Sequence, residues 1–262
     1  MRALQTAATG MMAQELNIQV ISNNLANMRT TAYKRQRAEF QDLLYEHVRR
    51  VGSQTSDQGN ILPAGIELGS GVKAVGTPRL MTQGTLSQTG KDFDVAIRGE
   101  GFFKIVLPDG RTAYTRDGSF ELDATGRIVT AQGNVLDPAI TVPANASGLT
   151  INAQGQVSVT LPGSTTSTLI GQFGLTNFIN KSGLQAIGDN LFLETPASGA
   201  PQDGTPGVEG FGDLQQGMLE QANVEAVSEI TDLIAAQRAY EMNSKVITAT
   251  DEMLQTTANL MR

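Results

Sequence analysis

Apolar residues recur at every seventh position at both ends of the chain. Near the N-terminus the row is Leu4, Met11, Ile18 and Leu25, and a partial second row runs through Ala7, Ile21 and Met28, interrupted at Gln14. So narrow an apolar stripe predicts a helix that packs against another helix. From about Ala3 to Asn27 it would run roughly 38 Å at 1.5 Å per residue. The C-terminal segment repeats the arrangement through Leu233, Tyr240, Ile247, Leu254 and Met261, with Ala239, Val246, Met253 and Leu260 alongside. A third row there, Asn243, Thr250 and Thr257, is polar, so the seam departs from an ideal two-stranded zipper. A helix from about Val224 to Leu260 would exceed roughly 50 Å, which is long for a globular domain.

Between the ends the pattern shortens into brief apolar runs separated by turns. Strands are expected at Asp94 to Ile97, Gly101 to Leu107, Thr112 to Thr115, Ser119 to Leu122 and Arg127 to Thr130. Asp109-Gly110, Asp117-Gly118 and Asp123-Ala124-Thr125-Gly126 between them read as hairpin turns. Further strands are expected at Leu149 to Asn152, Gln156 to Leu161, Thr168 to Leu175 and Asn190 to Glu194, while Val51 to Val75 reads as a linker or small extended subdomain. Glycine and proline agree with this division. Every proline lies between Pro63 and Pro206, and every glycine except Gly10 lies between Gly52 and Gly217. They disfavour helix by roughly 3 and 1 kcal/mol relative to Ala. The fold class expected is therefore α+β, with long N- and C-terminal helices paired as a coiled-coil-like domain around a central β-rich domain.

Charge adds a difference between the two ends. Residues 1–50 carry seven basic and four acidic side chains (+3), and residues 218–262 carry three basic and seven acidic (−4). Opposite signs favour the ends meeting, within a chain or between chains; solvated helix faces are the plainer reading of any single pair. The overall net charge of −7 argues against nucleic-acid binding. With no cysteine and one histidine, His47, thiolate and His-rich metal sites and a Ser-His-Asp triad lose support. No apolar run approaches membrane-spanning length, so direct membrane insertion is not expected, and the N-terminal segment lacks the solid apolar block of a cleavable signal.

Candidate chemistry is thin. Gly69-Ser70-Gly71-Val72-Lys73 lacks the full phosphate-loop spacing. Asp117, Ser119, Glu121 and Asp123 alternate like the start of a calcium loop, but Leu122 stands where the glycine belongs and Ile128 where the closing acid belongs. Gly99-Glu100-Gly101 precedes a strand, whereas a dinucleotide fingerprint opens a helix. Asp92 and Asp94 would share one face of a strand, with a solvated edge as the default reading. Arg29 to Arg37, a short basic run with Tyr33 interleaved, reads as a helix-end or partner contact. The terminal methionines read as adaptable packing. No catalytic, cofactor-binding or metal-ligating set emerges, and no cofactor is implied.

Three stretches together resemble the flagellar rod and hook protein family, over nearly the whole chain. The first is Ser22-Asn23-Asn24-Leu25-Ala26-Asn27 followed by Thr30-Thr31-Ala32-Tyr33-Lys34, where the family usually has Gly at Ala32's position, a departure hinting that this turn needs no positive φ. The second runs from Gly99-Glu100-Gly101-Phe102-Phe103 through Tyr114-Thr115-Arg116-Asp117-Gly118-Ser119-Phe120. The third is Gln237-Arg238-Ala239-Tyr240-Glu241, continuing to Asn243-Ser244-Lys245 and Thr250 to Leu254. Val51 to Leu80, especially Leu62-Pro63-Ala64-Gly65-Ile66, and Gln83 to Thr89 are similar to the family's distal-rod branch.

The resemblance implies a non-enzymatic subunit that polymerises helically around an export channel and transmits torque to the hook. It implies a helical inner assembly domain from residues 1–42 with 218–262, an extended stiffening segment at 43–80 and a β-rich outer domain at 81–217. The candidate assembly face is Leu4, Met11, Ile18, Ile21 and Leu25 with Leu233, Tyr240, Val246, Ile247, Met253, Leu254 and Leu260. Implied partners are copies of itself, proximal rod proteins, the hook protein, the P-ring and L-ring bushing proteins and the flagellar export apparatus. The implied place is the basal-body rod from periplasm to outer membrane, reached without a cleaved signal. Phe40 and Leu44 resemble a short export-gate motif, and a helix-face pair is the alternative. The rival functions are a proximal rod protein of the same family and, more remotely, a β-rich binding or adhesin module, for which four Tyr and no Trp make a thin aromatic platform.

Overall fold

A computed structural model describes residues 2–49, 64–163 and 166–260. Residues 51–63 of the expected linker, with Leu62 and Pro63, lie outside the described residues, as does Met261 of the C-terminal row. The fold is α+β, with one long helix at each end and a β-rich middle. Contacts divide the chain into two compact units. A helical unit draws on residues 1–26, 36–79 and 225–262, and a β unit on residues 27–35 and 80–224.

In the helical unit, α1 spans Arg2–Ala26 and α2 spans Ala226–Leu260. Both expected helices are present, with ends displaced by one or two residues. Asn24 touches Glu229, and Gly10 lies against Asn243, so the two helices run antiparallel. A methyl group at Gly10 would come within 2.9 Å of the Asn243 amide. That close approach accounts for the single glycine of the terminal segments. The buried positions are mostly small: Ala7, Ala13, Val20, Ile21 and Asn24 on α1, and Glu229, Ala236 and Thr250 on α2.

The same unit holds an antiparallel ribbon. Glu39–Asp42 pairs with Val72–Gly76, and Tyr45–Arg49 pairs with Ile66–Gly69. Phe40 is therefore on a strand and Leu44 on the connection after it, 88% exposed, so the helix-face alternative for that pair does not hold. Gly71, at φ +111°, sits where a Cβ would collide with the Thr9 hydroxyl on α1, and Thr9 accepts a hydrogen bond from the Val72 amide. The Gly69–Lys73 stretch is the link between two strands of this ribbon and opens no helix.

The β unit is built on a seven-stranded antiparallel sheet. Its order is Gln185–Gly188, Leu191–Leu193, Thr112–Thr115, Phe103–Val106, Val135–Asp137, Ile128–Thr130 and Phe120–Leu122. A three-stranded sheet, Gly148–Ile151, Gln156–Thr160 and Ser167–Gln172, contributes Ile151, Val157 and Val159 to a core shared with Val95, Ile97, Ile105, Ile128 and Leu136. Phe103, Phe120 and Phe173 meet there with ring centroids 5.1–5.9 Å apart. That spacing is in the favourable range for aromatic contact.

Two of the three expected Asp-Gly or Asp-to-Gly hairpins form, at Asp109-Gly110 and Asp123–Gly126. Asp117-Gly118 is not one. Thr112–Thr115 pairs with Phe103–Val106, while Phe120–Leu122 pairs with Ile128–Thr130 at the far edge of the sheet. Gly118 is required for a different reason: a Cβ would lie 1.7 Å from the Val95 carbonyl oxygen, and the Val95 amide donates to Gly118 O at 3.0 Å. The expected strand at Thr168 to Leu175 divides into Ser167–Gln172 and Leu175–Asn177.

Candidate assembly surface and the clamps beneath the sequence signatures

The first signature ends α1 on a buried asparagine. Asn24 Oδ1 accepts the Gln36 amide at 2.9 Å, and Nδ2 donates to Gln36 O at 2.8 Å and to Glu229 Oε2 at 3.1 Å. A primary amide presents one donor side and one acceptor side, so Asn24 pairs with Gln36 as a neighbouring strand would. Asn24 and Glu229 are both buried, and a buried carboxylate is tolerated only with hydrogen-bonding partners. Around it Ser22, Asn23 and Ala26 are exposed, Leu25 and Asn27 half-buried.

Lys34 of the first signature and Gly99, Gly101 and Arg116 of the second converge in the β unit on an ionic knot. Lys34 Nζ donates to Glu220 Oε1 at 2.5 Å and to Thr82 O at 2.8 Å. Arg116 Nε donates to Glu220 Oε2 at 2.9 Å, while its other nitrogens hold Gly101 O at 3.0 Å and Gly99 O at 2.9 Å. The Gly84 amide completes the Glu220 carboxylate at 2.8 Å. All three charged side chains are buried. Two cations face one anion, and three backbone carbonyls solvate the excess positive charge. Burial, followed by the neighbouring Arg116 charge, pushes the Lys34 amine below its ordinary range despite Glu220. Burial works the other way on Glu220, but Arg116, Lys34 and the hydrogen bonds outweigh it and hold the carboxyl below the usual range. The basic run Arg29–Arg37 is thus divided: Lys34 is interior and Arg37 pairs with Glu39 at 2.7 Å.

Ala32 corrects the sequence reading of its turn. Its φ is +56°, so the left-handed conformation persists without glycine. The residue is buried, and its amide donates to Glu220 O at 2.7 Å. The carbonyl beside it, Thr31 O, accepts from Asn190 Nδ2 at 3.0 Å, and Asn190 is itself at φ +60°.

The third signature lies on α2, partly on its surface and partly, through Asn243, Ser244 and Thr250, turned inward. Gln237 and Arg238 are exposed, with Arg238 paired to Glu241 at 3.1 Å, and Tyr240 is 41% exposed. Of the other candidate assembly residues, Ile21 is buried and Leu4, Met11, Ile18, Leu25, Leu233 and Ile247 are half-buried within the helical unit. Val246, Met253, Leu254 and Leu260 are exposed. Val246, Met253 and Leu260, seven apart, form an apolar stripe with Met242 on one flank of α2. Leu254 continues the row Leu233, Tyr240, Ile247 into residues 251–260, every one of which is exposed. This bare end of α2 is ~15 Å long at 1.5 Å per residue.

Other candidate chemistry resolves into structure. The Asp123 carboxylate accepts from the Thr125 hydroxyl at 2.6 Å and from the Arg127 and Thr125 amides, which hold it well below the usual range. It closes a turn. Asp92 is exposed but Asp94 is buried, so the pair is not a solvated edge. Among the described residues no cluster of three or more His, Asp or Glu side chains could hold a metal ion, and no described helix is long and apolar enough to cross a membrane.

Comparison with known proteins matches the same three regions. Residues 4–34 match the family model for flagella basal body rod proteins, residues 96–159 that for the flagellar hook protein FlgE/F/G D1 domain, and residues 215–260 that for the flagellar basal body rod FlgEFG protein C-terminal region. The flagellar basal-body rod protein FlgG of Caulobacter vibrioides is 56% identical over 99% of both chains. The chain belongs to the flagellar basal-body rod protein family. The FlgG of Buchnera aphidicola subsp. Acyrthosiphon pisum is 48% identical over 98% of this chain and 99% of its own. The rod protein FlgF of Caulobacter vibrioides is 34% identical over 96% of this chain and 94% of its own. As a flagellar rod protein the chain is a structural subunit of the basal body and not an enzyme. The side chains of the two clamps fall inside the matched regions: Asn24 and Lys34 in the first, Arg116 in the second, Glu220 and Glu229 in the third.

Proposed function

We propose that the chain is the structural subunit of the flagellar distal rod, polymerising helically around the export channel and carrying torque to the hook. The observation that supports this most directly is the apolar end of α2. Met253, Leu254 and Leu260 are 60%, 45% and 87% exposed on a helix end that no other described residue buries. Burying three such side chains is worth about 1.5–3 kcal/mol each, enough to drive association of copies. A head-to-tail contact of this kind joins two different surfaces, so it propagates as an open filament instead of closing. Coiled-coil-like packing of helices from successive copies would cover the stripe.

The greater identity to FlgG than to FlgF of the same bacterium supports the distal reading over the proximal one. The proposed neighbours are proximal rod proteins, the hook protein, the P-ring and L-ring and the export apparatus, in a rod reaching from periplasm to outer membrane. Export without a cleaved signal, with Phe40 and Leu44 as its gate motif, belongs to the same proposal. Truncation tests it. Removing residues 1–27 or 233–262 is expected to abolish polymerisation while the far-ultraviolet signature of the β unit survives; a truncated chain that still forms rods would sink the proposal.

A further inference from the structure

The chain passes between its helical and β units at four peptide bonds: Ala26–Asn27, Arg35–Gln36, Arg79–Leu80 and Val224–Glu225. Inside the β unit, three of the segments that lead to those bonds meet on one side chain. Asn223 Oδ1 accepts the Arg35 amide at 2.7 Å. Its Nδ2 lies 2.8 Å from Leu80 O, 3.0 Å from Thr82 O and 2.9 Å from Thr82 Oγ1. The Asn223 amide donates to Tyr33 O, and the Leu80 amide donates to Arg35 O at 2.8 Å. Thr82 O is also held by Lys34, which joins the node to the buried knot of Lys34, Glu220 and Arg116. The fourth segment, which begins at Asn27, is fastened through Ala32 N to Glu220 O and through Thr31 O to Asn190.

The geometry points to Asn223 as the hub of a load-bearing clamp: it ties together, within the β unit, the chain segments that run to the helical unit, so that tension on any one of them is shared by all. Segments pulled independently would come away from the β unit one hydrogen bond at a time. Bound to one another and anchored on a buried ionic knot, they must be displaced together. Asn suits the hub because one planar group supplies an acceptor for one segment and two donors for another. This inference rests on the torque-carrying role proposed above.

The test has two arms, which separate the clamp from that role. Hydrogen exchange on the purified full chain compares wild type with Asn223→Ala. The Arg35 and Leu80 amides are expected to lose about ten-fold in protection, while the Ile105 amide in the core keeps its own. Unchanged protection at Arg35 and Leu80 overturns the clamp. In the second arm, a strain lacking the chain is complemented with wild type, Asn223→Ala or Thr82→Val, which removes only one of the acceptors. Rods are counted in isolated basal bodies, and swimming speed is followed as viscosity rises. Variant cells that build rods are expected to lose speed more steeply with load than wild type, and Thr82→Val carries this arm should Asn223→Ala build none. Wild-type load dependence in rod-bearing variants overturns the inference. A wild-type copy that restores no rods overturns the rod assignment instead, and leaves the exchange result to decide the clamp.

Discussion

Asn24 and Glu229 stand 205 residues apart in sequence and are joined by a buried hydrogen bond, Asn24 Nδ2 to Glu229 Oε2 at 3.1 Å. One bond thus fastens the last turn of α1 to the first turn of α2, and the same amide holds the Gln36 backbone. Asn24→Ala leaves a buried carboxylate and two backbone groups short of partners. The expected cost is roughly 2–3 kcal/mol, read as a lower denaturant midpoint of the helical signal at 222 nm. Asn24→Asp should cost more, because it replaces the amide donor facing Glu229 Oε2 and Gln36 O with an acceptor.

Glu220 pairs with both Lys34 and Arg116 in their buried knot. Glu220→Gln strands two interior cations, a change that typically costs about 3–5 kcal/mol. The pH dependence follows from the direction of the shift. The folded carboxyl lies below its ordinary range, so its stabilisation is fully present above the unfolded value and is lost as pH falls through the folded one. Wild-type stability should therefore drop as pH falls below roughly 4. The Gln variant, already destabilised, should lack that part of the acid response; identical pH profiles for the two would contradict the assignment.

Ala32 holds a left-handed conformation that costs an L-residue roughly 1–2 kcal/mol. Ala32→Gly relieves that strain and loses one buried methyl worth about 0.8 kcal/mol. The net expected is a small gain or no change in chemical denaturation. Ala32→Val should be clearly destabilising, since a β-branched side chain fits neither the φ nor the buried site.

Much of the fold was legible because its signals are local. Heptad rows free of glycine and proline marked both helices, and turn residues between β-branched and aromatic runs marked most strands of the main sheet. What stayed hidden depends on partners far away in sequence. Asp213–Gln216 and Met218–Glu220 are short and carry two glutamines and two acids, and they form strands only because Val95–Arg98 and Leu86–Gln88 lie beside them. Lys34 reads as a surface base until Glu220, 186 residues on, accounts for its burial. The Asn243 and Thr250 row reads as the weak side of α2, yet Thr250 is buried and Asn243 lies against Gly10, because the closely packed helices leave room only for small groups. Tyr240, Val246, Met253, Leu254 and Leu260, which help make the apolar rows conspicuous, are exposed, and they are the positions proposed for contact with neighbouring copies.

Those exposed residues give a direct variant of the assembly claim. Met253→Asp with Leu254→Asp should leave the isolated chain folded and as stable as wild type within about 0.5 kcal/mol, yet prevent rod formation in complemented cells. Electron microscopy of the basal bodies reads this, with melting of the purified chain as the control.

The most direct measurement is cryo-electron microscopy of basal bodies from a strain that lacks this chain. A distal-rod subunit predicts particles whose proximal rod is present and whose distal rod and hook are missing, restored by the wild-type chain. Basal bodies with a complete rod in the absence of the chain would contradict the account.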